Sequence, residues 1–357
     1  MRREYGVDLA RIVAIFMVFL IHNLWNGGVL EETYKSRAFF SMWYIENLGI
    51  VAVNMFAMIT GYLMATRKIN YERLFNVVVQ TMFWSIFIVF ACIPFVEKIT
   101  LGNILENVLS IFSVRYWYVN AYIGMLLMAP FLNKGMQHLS ELYLTKLIVG
   151  FLIVACTLGY VDGWFLLSGY SSFWLAIMYM VGGYLKIYKP LQKIQTKYLM
   201  TLFFVMPVAY LVGEFYVSEM GYGPLRIISY NSPWVFVQSV ALFESIRRFK
   251  LPDSKGRFVA GLGSLTFGAY IINGSYLYDL LKNQLEWVKS YNPVQQLLWV
   301  LGITTIMFLG ALVMEFTRMQ LFKRCGIDKL IHSVFVGIEN RFHKLVILFV
   351  RQRDAEL

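Results

Sequence analysis

Apolar runs recur along this chain from end to end, with no long polar interval between them. A membrane-crossing helix needs about 20 predominantly apolar residues, fewer where polar side chains can turn toward protein. On that rule ten spans are predicted, near 7–25, 44–66, 74–96, 116–133, 145–161, 170–187, 197–217, 232–249, 258–281 and 294–318. The stretch ITLGNILENVLSIF at 99–112 has apolar residues at helical spacing but is too short to cross, so it is expected to lie on the outer surface or re-enter the bundle. After residue 318, Lys323, Arg324, Lys329, Arg341 and Lys344 are interspersed with Ile, Val, Phe and Leu, a mixture that suits an amphipathic helix on an anionic inner leaflet. The expected fold class is therefore all-α: a polytopic membrane helical bundle of about ten transmembrane helices over 1–318, followed by a basic amphipathic cytoplasmic tail over 319–357.

Composition agrees with this reading, because 59% of the 357 residues are hydrophobic, only 15% are charged, and the mean hydropathy is +0.59. The net charge of +11 changes the picture only once its distribution is seen. Lys and Arg fall in short clusters between the apolar runs, as in cytoplasmic loops of membrane proteins, so membrane lipid rather than nucleic acid is the expected surroundings. With both termini placed in the cytoplasm, the inside segments hold sixteen Lys and Arg, from Arg2 and Arg3 to Arg247, Arg248, Lys250, Lys255 and Arg257. The outside ones hold seven: Lys35, Arg37, Lys98, Arg115, Arg226, Lys282 and Lys289. Arg2 and Arg3 before an apolar core resemble a signal peptide, but no small-x-small cleavage site follows Leu20, so the first run is expected to stay as a span. Cys92, Cys156 and Cys325 are far apart and lack CxxC spacing or clustered histidines; they read as packing residues, and no metal is expected.

Against this apolar background the polar residues inside the spans stand out. An Asp or Arg near mid-helix costs about 2.5 to 3.5 kcal/mol on insertion scales, so such residues face protein or water. The first span, DLARIVAIFMVFLIH at 8–22, carries both: Asp8 and Arg11 are i and i+3, close enough to pair. His22 follows Arg11 by eleven residues, which returns it to nearly the same helix face about 16 Å further along the axis. On one reading Asp8 and Arg11 snorkel to the inner interface while His22 sits in an outer aromatic belt with Trp25. On the other the stripe lines an interior cavity, where the imidazole can take a proton and the guanidinium can hold an anionic group such as phosphate. Arg67, Lys68 and Arg73 at the inner end of the second and third spans are ordinary topogenic charge or, with Arg11, a basic pocket for a phosphorylated ligand.

Elsewhere, Arg115, Tyr116, Trp117 and Tyr118 open the fourth span as an interfacial aromatic group, Asn120 is polar within it, and Pro130 is expected to kink or stop it. Pro233 suits a first helical turn, and Gln238 and Glu244 are expected to turn toward a cavity. Gly61 and the series Gly261, Gly268 and Gly274 are expected to serve close helix packing. Asn273 lies inside the ninth span and needs a partner there, whereas His138, His332 and His343 fall in loop or tail positions and are expected to be solvated. There is no GxSxG elbow, P-loop, HExxH or paired carboxylates on one helix.

Four of these stretches, in this order, resemble the bacterial integral-membrane acyltransferase-3 family, which O-acylates cell-surface glycans and related acceptors. They are GVDLARIVAIFMVFLIH, in which Arg11 and His22 fit the family's Arg-x10-His spacing, FAMITGYLMATRK, YWYVNAYIGMLLMAPFLN and SLTFGAYIIN. The last departs from the family's frequent YLIH ending by placing Asn273 where a histidine is common; an amide cannot transfer a proton but can hydrogen-bond. The resemblance implies a bacterial cell membrane enzyme that moves an acyl group, acetyl in the first instance, from cytoplasmic acetyl-CoA or another short acyl-CoA to a hydroxyl of an extracytoplasmic glycan or lipid-linked oligosaccharide. Within it, Arg11, Arg67 and Arg73 would hold the CoA phosphates, His22 would act as general base, Asp8 would orient Arg11, and Tyr118 or Asn120 would steady the oxyanion. A covalent acyl-histidine is the competing chemistry. The rival of another class is a transporter or flippase of a lipid-linked oligosaccharide, whose two related halves are not detectable here.

Overall fold

A computed structural model describes residues 3–30, 37–96, 99–112, 114–161, 166–220 and 228–356. Four of the charges used above for orientation, Arg2, Lys35, Lys98 and Arg226, lie outside the described residues. Fifteen α-helices are described: α1 Tyr5–Trp25, α2 Arg37–Gly49, α3 Ala52–Met64, α4 Tyr71–Cys92, α5 Leu101–Val108, α6 Trp117–His138, α7 Glu141–Cys156, α8 Leu158–Val161, α9 Ser172–Ile187, α10 Thr196–Glu219, α11 Pro233–Arg247, α12 Asp253–Asn273, α13 Tyr276–Leu280, α14 Pro293–Arg324 and α15 Ile327–Glu356. No strand is present among the described residues. Each of the ten segments expected from the sequence falls on helix, and among the described residues five stretches are long and apolar enough to cross a membrane: Tyr5–Trp25, Phe39–Met64, Tyr71–Phe95, Thr196–Val217 and Pro293–Arg324.

The burial pattern is the inverse of a water-soluble protein's. On α14, Thr304 and Glu315 are 0% and 1% exposed, while Ile306 and Val313 are 73% and 64% exposed. A helix that hides its polar side chains and turns its aliphatic ones outward is built for surroundings without water. Inside, Glu315 accepts from Gln80 Nε2 at 2.9 Å and Trp84 Nε1 at 2.7 Å and pairs with Arg318, which ties α4 to α14 through one buried carboxylate.

α1 stands at the centre, packed against α2, α3, α11, α12 and α14. The most extensive packing joins α3 to α9, and it rests on two glycines: a Cβ at Gly61 would collide with the Tyr179 carbonyl oxygen, and one at Gly182 with that of Met58. Backbones meet here with no side chain between, as close approach of membrane helices requires. Capping sets the other starts. Ser232 caps α11 with Pro233 in its first turn, and Asn292 forms a capping box with Gln295 at the head of α14.

Several boundaries differ from expectation for identifiable reasons. The second span breaks at Ile50–Val51 into α2 and α3, and the ninth ends at Asn273, where Gly274 forms the cap and α13 starts afresh. α6 runs through Pro130 to His138, and α14 continues past 318 to Arg324, turning only at Gly326 with φ +72°. α5 is a single capped element, its Leu101 and Leu105 exposed. Gly261 has open space around it rather than a neighbouring helix, and Cys325 is exposed rather than packed. His332 is exposed as expected, yet its Nδ1 lies 2.7 Å from Glu72 Oε1, pinning α15 to α4.

Candidate functional site

The face of α1 that carries Arg11 and His22 looks into two abutting cavities. The one toward the N-terminal end of α1, here called the inner chamber, has a volume of about 590 Å³ and is lined by Asp8, Arg11, Arg67 and Arg73 together with Arg3 and Lys186. The other, about 470 Å³, continues along α1 past Ile15, Val18 and Ile21 to His22 and is closed by α3, α4, α6 and α12. Arg11, Thr60, Arg73, Val77 and Tyr122 line both, so they form the waist where the two meet. One helical stripe thus spans a basic inner chamber and a largely apolar outer one.

Asp8 is buried against α12, beside Gly263. Its tightest partner is not Arg11 but Arg3, whose Nε and Nη2 donate to the carboxylate at 2.8 and 3.0 Å; Arg11 Nη1 is 3.6 Å away. Asp8 and Arg11 therefore pair as their spacing suggests, but the carboxylate is shared with Arg3. Neither Arg67 nor Arg73 has an ion-pair partner among the described residues, and both are exposed on the inner chamber.

His22 lies one turn before the end of α1. Beyond it the chain is zipped to the segment after α12: Asn283 N donates to Asn26 O at 2.8 Å, Leu285 N to Gly27 O at 2.9 Å, and the Asn26 amide to Tyr278 O. This zipper brings the last residue of α12 to the imidazole. His22 Nδ1 is 2.5 Å from Asn273 Oδ1, and the Tyr278 ring meets the imidazole edge-on at 4.7 Å. An amide oxygen can only accept, so Nδ1 carries the proton and Nε2 is the basic nitrogen.

Across the cavity stands α6. Tyr118 is buried, lines the cavity, and its hydroxyl has no hydrogen-bond partner among the described residues. Asn120, the other residue considered for the oxyanion, lines neither cavity, because two positions along a helix turn it away from Tyr118. Gln238 and Glu244 do not reach a cavity either: Gln238 bonds to Tyr210 and to Asn47 O, and Glu244 is enclosed by Arg247 and Arg248. What sequence reasoning missed is Asn273 as the imidazole's partner, Lys186 and Arg3 in the inner chamber, and Arg115 at the cavity's other end. A stripe of Arg73, Asn76 and Gln80 at helical spacing in an apolar run was the available signal for the face that α4 contributes. Among the described residues no group of three or more His, Cys, Asp or Glu is placed to hold a metal ion.

The arrangement provides cations at one end, an apolar wall of Ile15, Val18 and Ile21 along α1, and further along the same helix a base, with a buried phenolic donor lining the same cavity. Residues 4–316 match the family model described as "Acyltransferase domain". No curated protein and no solved structure gives a significant match.

Proposed function

The chain belongs to the acyltransferase-3 family, and from that membership we propose that it transfers an acetyl group from cytoplasmic acetyl-CoA, through the membrane, to a hydroxyl of an extracytoplasmic glycan. The observation that carries this reading is the pair of cavities meeting at Arg11, with His22 about 16 Å further along the same helix face. The phosphates of CoA rest on Arg67, Arg73 and Arg11 in the inner chamber. The uncharged pantetheine arm follows the α1 stripe and presents the thioester beside His22.

His22 Nε2 takes the proton of the acceptor hydroxyl while its oxygen attacks the thioester carbonyl carbon. The new C–O bond puts negative charge on the carbonyl oxygen, which the Tyr118 hydroxyl meets with its unspent donor. Collapse breaks the C–S bond, and the imidazolium returns the proton to the leaving sulfur, so that CoA departs as the free thiol. Asn273 holds the imidazole in the tautomer this sequence needs. Asp8 anchors Arg11.

In this reading the ten helical segments cross a bacterial plasma membrane ten times, both termini are cytoplasmic, and α15 lies along the inner leaflet with its basic residues toward lipid headgroups. Its exposed Leu330, Val334, Ile338 and Phe342 recur every four residues and form one apolar stripe. Exposed Cys325 makes the orientation measurable: with the other two cysteines replaced, it should react with an impermeant maleimide only after cells are opened.

The test is acceptor-dependent release of CoA by purified protein given acetyl-CoA and bacterial surface glycans. Wild type should show it; His22→Ala and Arg11→Ala should not. Undiminished release by folded His22→Ala ends the general-base assignment.

A further inference from the structure

Arg115 occupies the turn Val114–Tyr116 just before α6, and its side chain is only 7% exposed. Its terminal nitrogens are committed. Nη2 contacts Asp279 Oδ2 at 2.7 Å and Glu106 Oε2 at 3.2 Å, and Nη1 donates to Ser275 O at 3.3 Å. Its Nε–H is buried without a partner among the described residues, and the residue lines the same cavity as His22. Three polar groups of this chamber are set apart among the described residues: the basic Nε2 of His22 and the two fully buried atoms that have no hydrogen-bond partner, the hydroxyl of Tyr118 and the Nε–H of Arg115.

Acyl transfer to a hydroxyl uses the first two. The third has no part in breaking or making a bond, and a buried donor left unpaired is costly. It is satisfied when the acceptor carries a second oxygen near the reacting one. We propose that this end of the cavity is an acceptor subsite for an uncharged sugar ring, in which Arg115 Nε–H grips an oxygen adjacent to the hydroxyl being acylated; the proposal rests on the acyl-transfer reading above.

Charge decides against an anionic acceptor. Arg115 faces two carboxylates, both nearly half exposed and neither lining the cavity, so the guanidinium is more than neutralised where it borders the cavity. A uronate or phosphodiester would meet net negative charge, whereas Arg11 and Arg73 lie at the far end of the cavity, beside the waist. Beside Arg115, Trp117, one face of which is stacked on Tyr230, and Tyr278 are half-buried and line the cavity, offering rings to a sugar's apolar face. Tyr278 also touches His22, so a ring seated on it lies beside the base.

The experiment measures CoA release by full-length protein with acetyl-CoA and a panel of methyl glycosides: glucoside, galactoside, mannoside and N-acetylglucosaminide, their monodeoxy forms, and the matching uronides, with glycerol phosphate as a second anion. Wild type should acylate a neutral glycoside at least about tenfold faster, as kcat/KM, than its uronide. One monodeoxy form that keeps the reacting hydroxyl should lose on the order of ten- to a hundredfold. In Arg115→Lys, which retains charge but not this N–H, the same deoxy form should lose no more than its parent, while KM for acetyl-CoA stays unchanged. The wild-type panel keeps the test valid if that variant does not fold. A uronide or glycerol phosphate that matches the best neutral sugar overturns the proposal, as does a full deoxy penalty in Arg115→Lys. CoA release that needs His22 but is stimulated by no sugar overturns it too, yet leaves acyl transfer standing; absence of any His22-dependent release removes both.

Discussion

Replacing Asn273 by Ala should slow the chemical step without touching the donor site. The amide accepts from His22 Nδ1 at 2.5 Å and is itself 4% exposed, so water cannot readily take its place. A hydrogen bond between neutral groups contributes about 1 kcal/mol net, and its loss also lets the neutral imidazole divide between two tautomers and turn in the cavity. With about 1.4 kcal/mol per factor of ten, kcat is expected to fall roughly five- to thirtyfold. Loss of the base itself in His22→Ala should cost about 10² to 10⁴. KM for acetyl-CoA should be unaltered, because Asn273 lines neither the waist nor the inner chamber. A thiol-trapping dye reports CoA release in detergent, and thermal unfolding of the same preparations separates misfolding from slow turnover. Asn273→Asp should recover more activity than Asn273→Ala, since a carboxylate can only accept and so keeps the proton on Nδ1. Full kcat in folded Asn273→Ala would refute the positioning role. A loss as complete as that of His22→Ala would refute it from the other side, by making Asn273 part of the chemistry.

The inner chamber and the packing that surrounds it make two further predictions. Arg67→Ala and Arg73→Ala should each weaken equilibrium binding of acetyl-CoA by about tenfold, an effect that shrinks as salt is raised because both side chains are exposed; unchanged affinity in both removes the phosphate assignment. Gly61→Ala should lower the thermal stability of the purified protein by about 1 to 3 kcal/mol, since the new methyl must displace the α9 backbone at Tyr179, whereas Gly261→Ala, with open space around it, should not.

The stripe of α1 that faces the cavities was legible in sequence pattern alone. Three polar residues within an apolar run of one helix are conspicuous, and eleven-residue spacing turns Arg11 and His22 to one face regardless of what surrounds them. The partners were not visible, since each is supplied by tertiary packing. Asn273 is 251 residues from His22 and reaches it only through the zipper between Asn26–Gly27 and the segment after α12. Arg3 looked like topogenic charge because periodicity cannot say that the chain before α1 folds back on Asp8. Arg115 was concealed in another way: an arginine followed by three aromatics is what any membrane interface attracts, and only the geometry separates its spent Nη atoms from its unspent Nε. Helix existence followed from composition, whereas the breaks at Ile50–Val51 and Gly274 fall inside runs whose hydrophobicity is continuous.

The distribution of charge along α1 bears directly on how an acyl group can cross a bilayer. Moving a whole CoA molecule outward would carry several phosphates through a medium where even one charge is costly. In the proposed reaction nothing charged passes the waist. The cations that suit phosphate stop at Arg11 and Arg73, and the wall beyond them along α1 is Ile15, Val18 and Ile21, which suits an uncharged thioester arm but gives a nucleotide no partner. At the far end the base is a neutral imidazole with a neutral amide behind it, rather than the carboxylate that orients histidine in serine hydrolases. A carboxylate there would add a buried charge to the outer chamber, whose Arg115 is already paired with Glu106 and Asp279. An amide supplies the orienting acceptor without that cost.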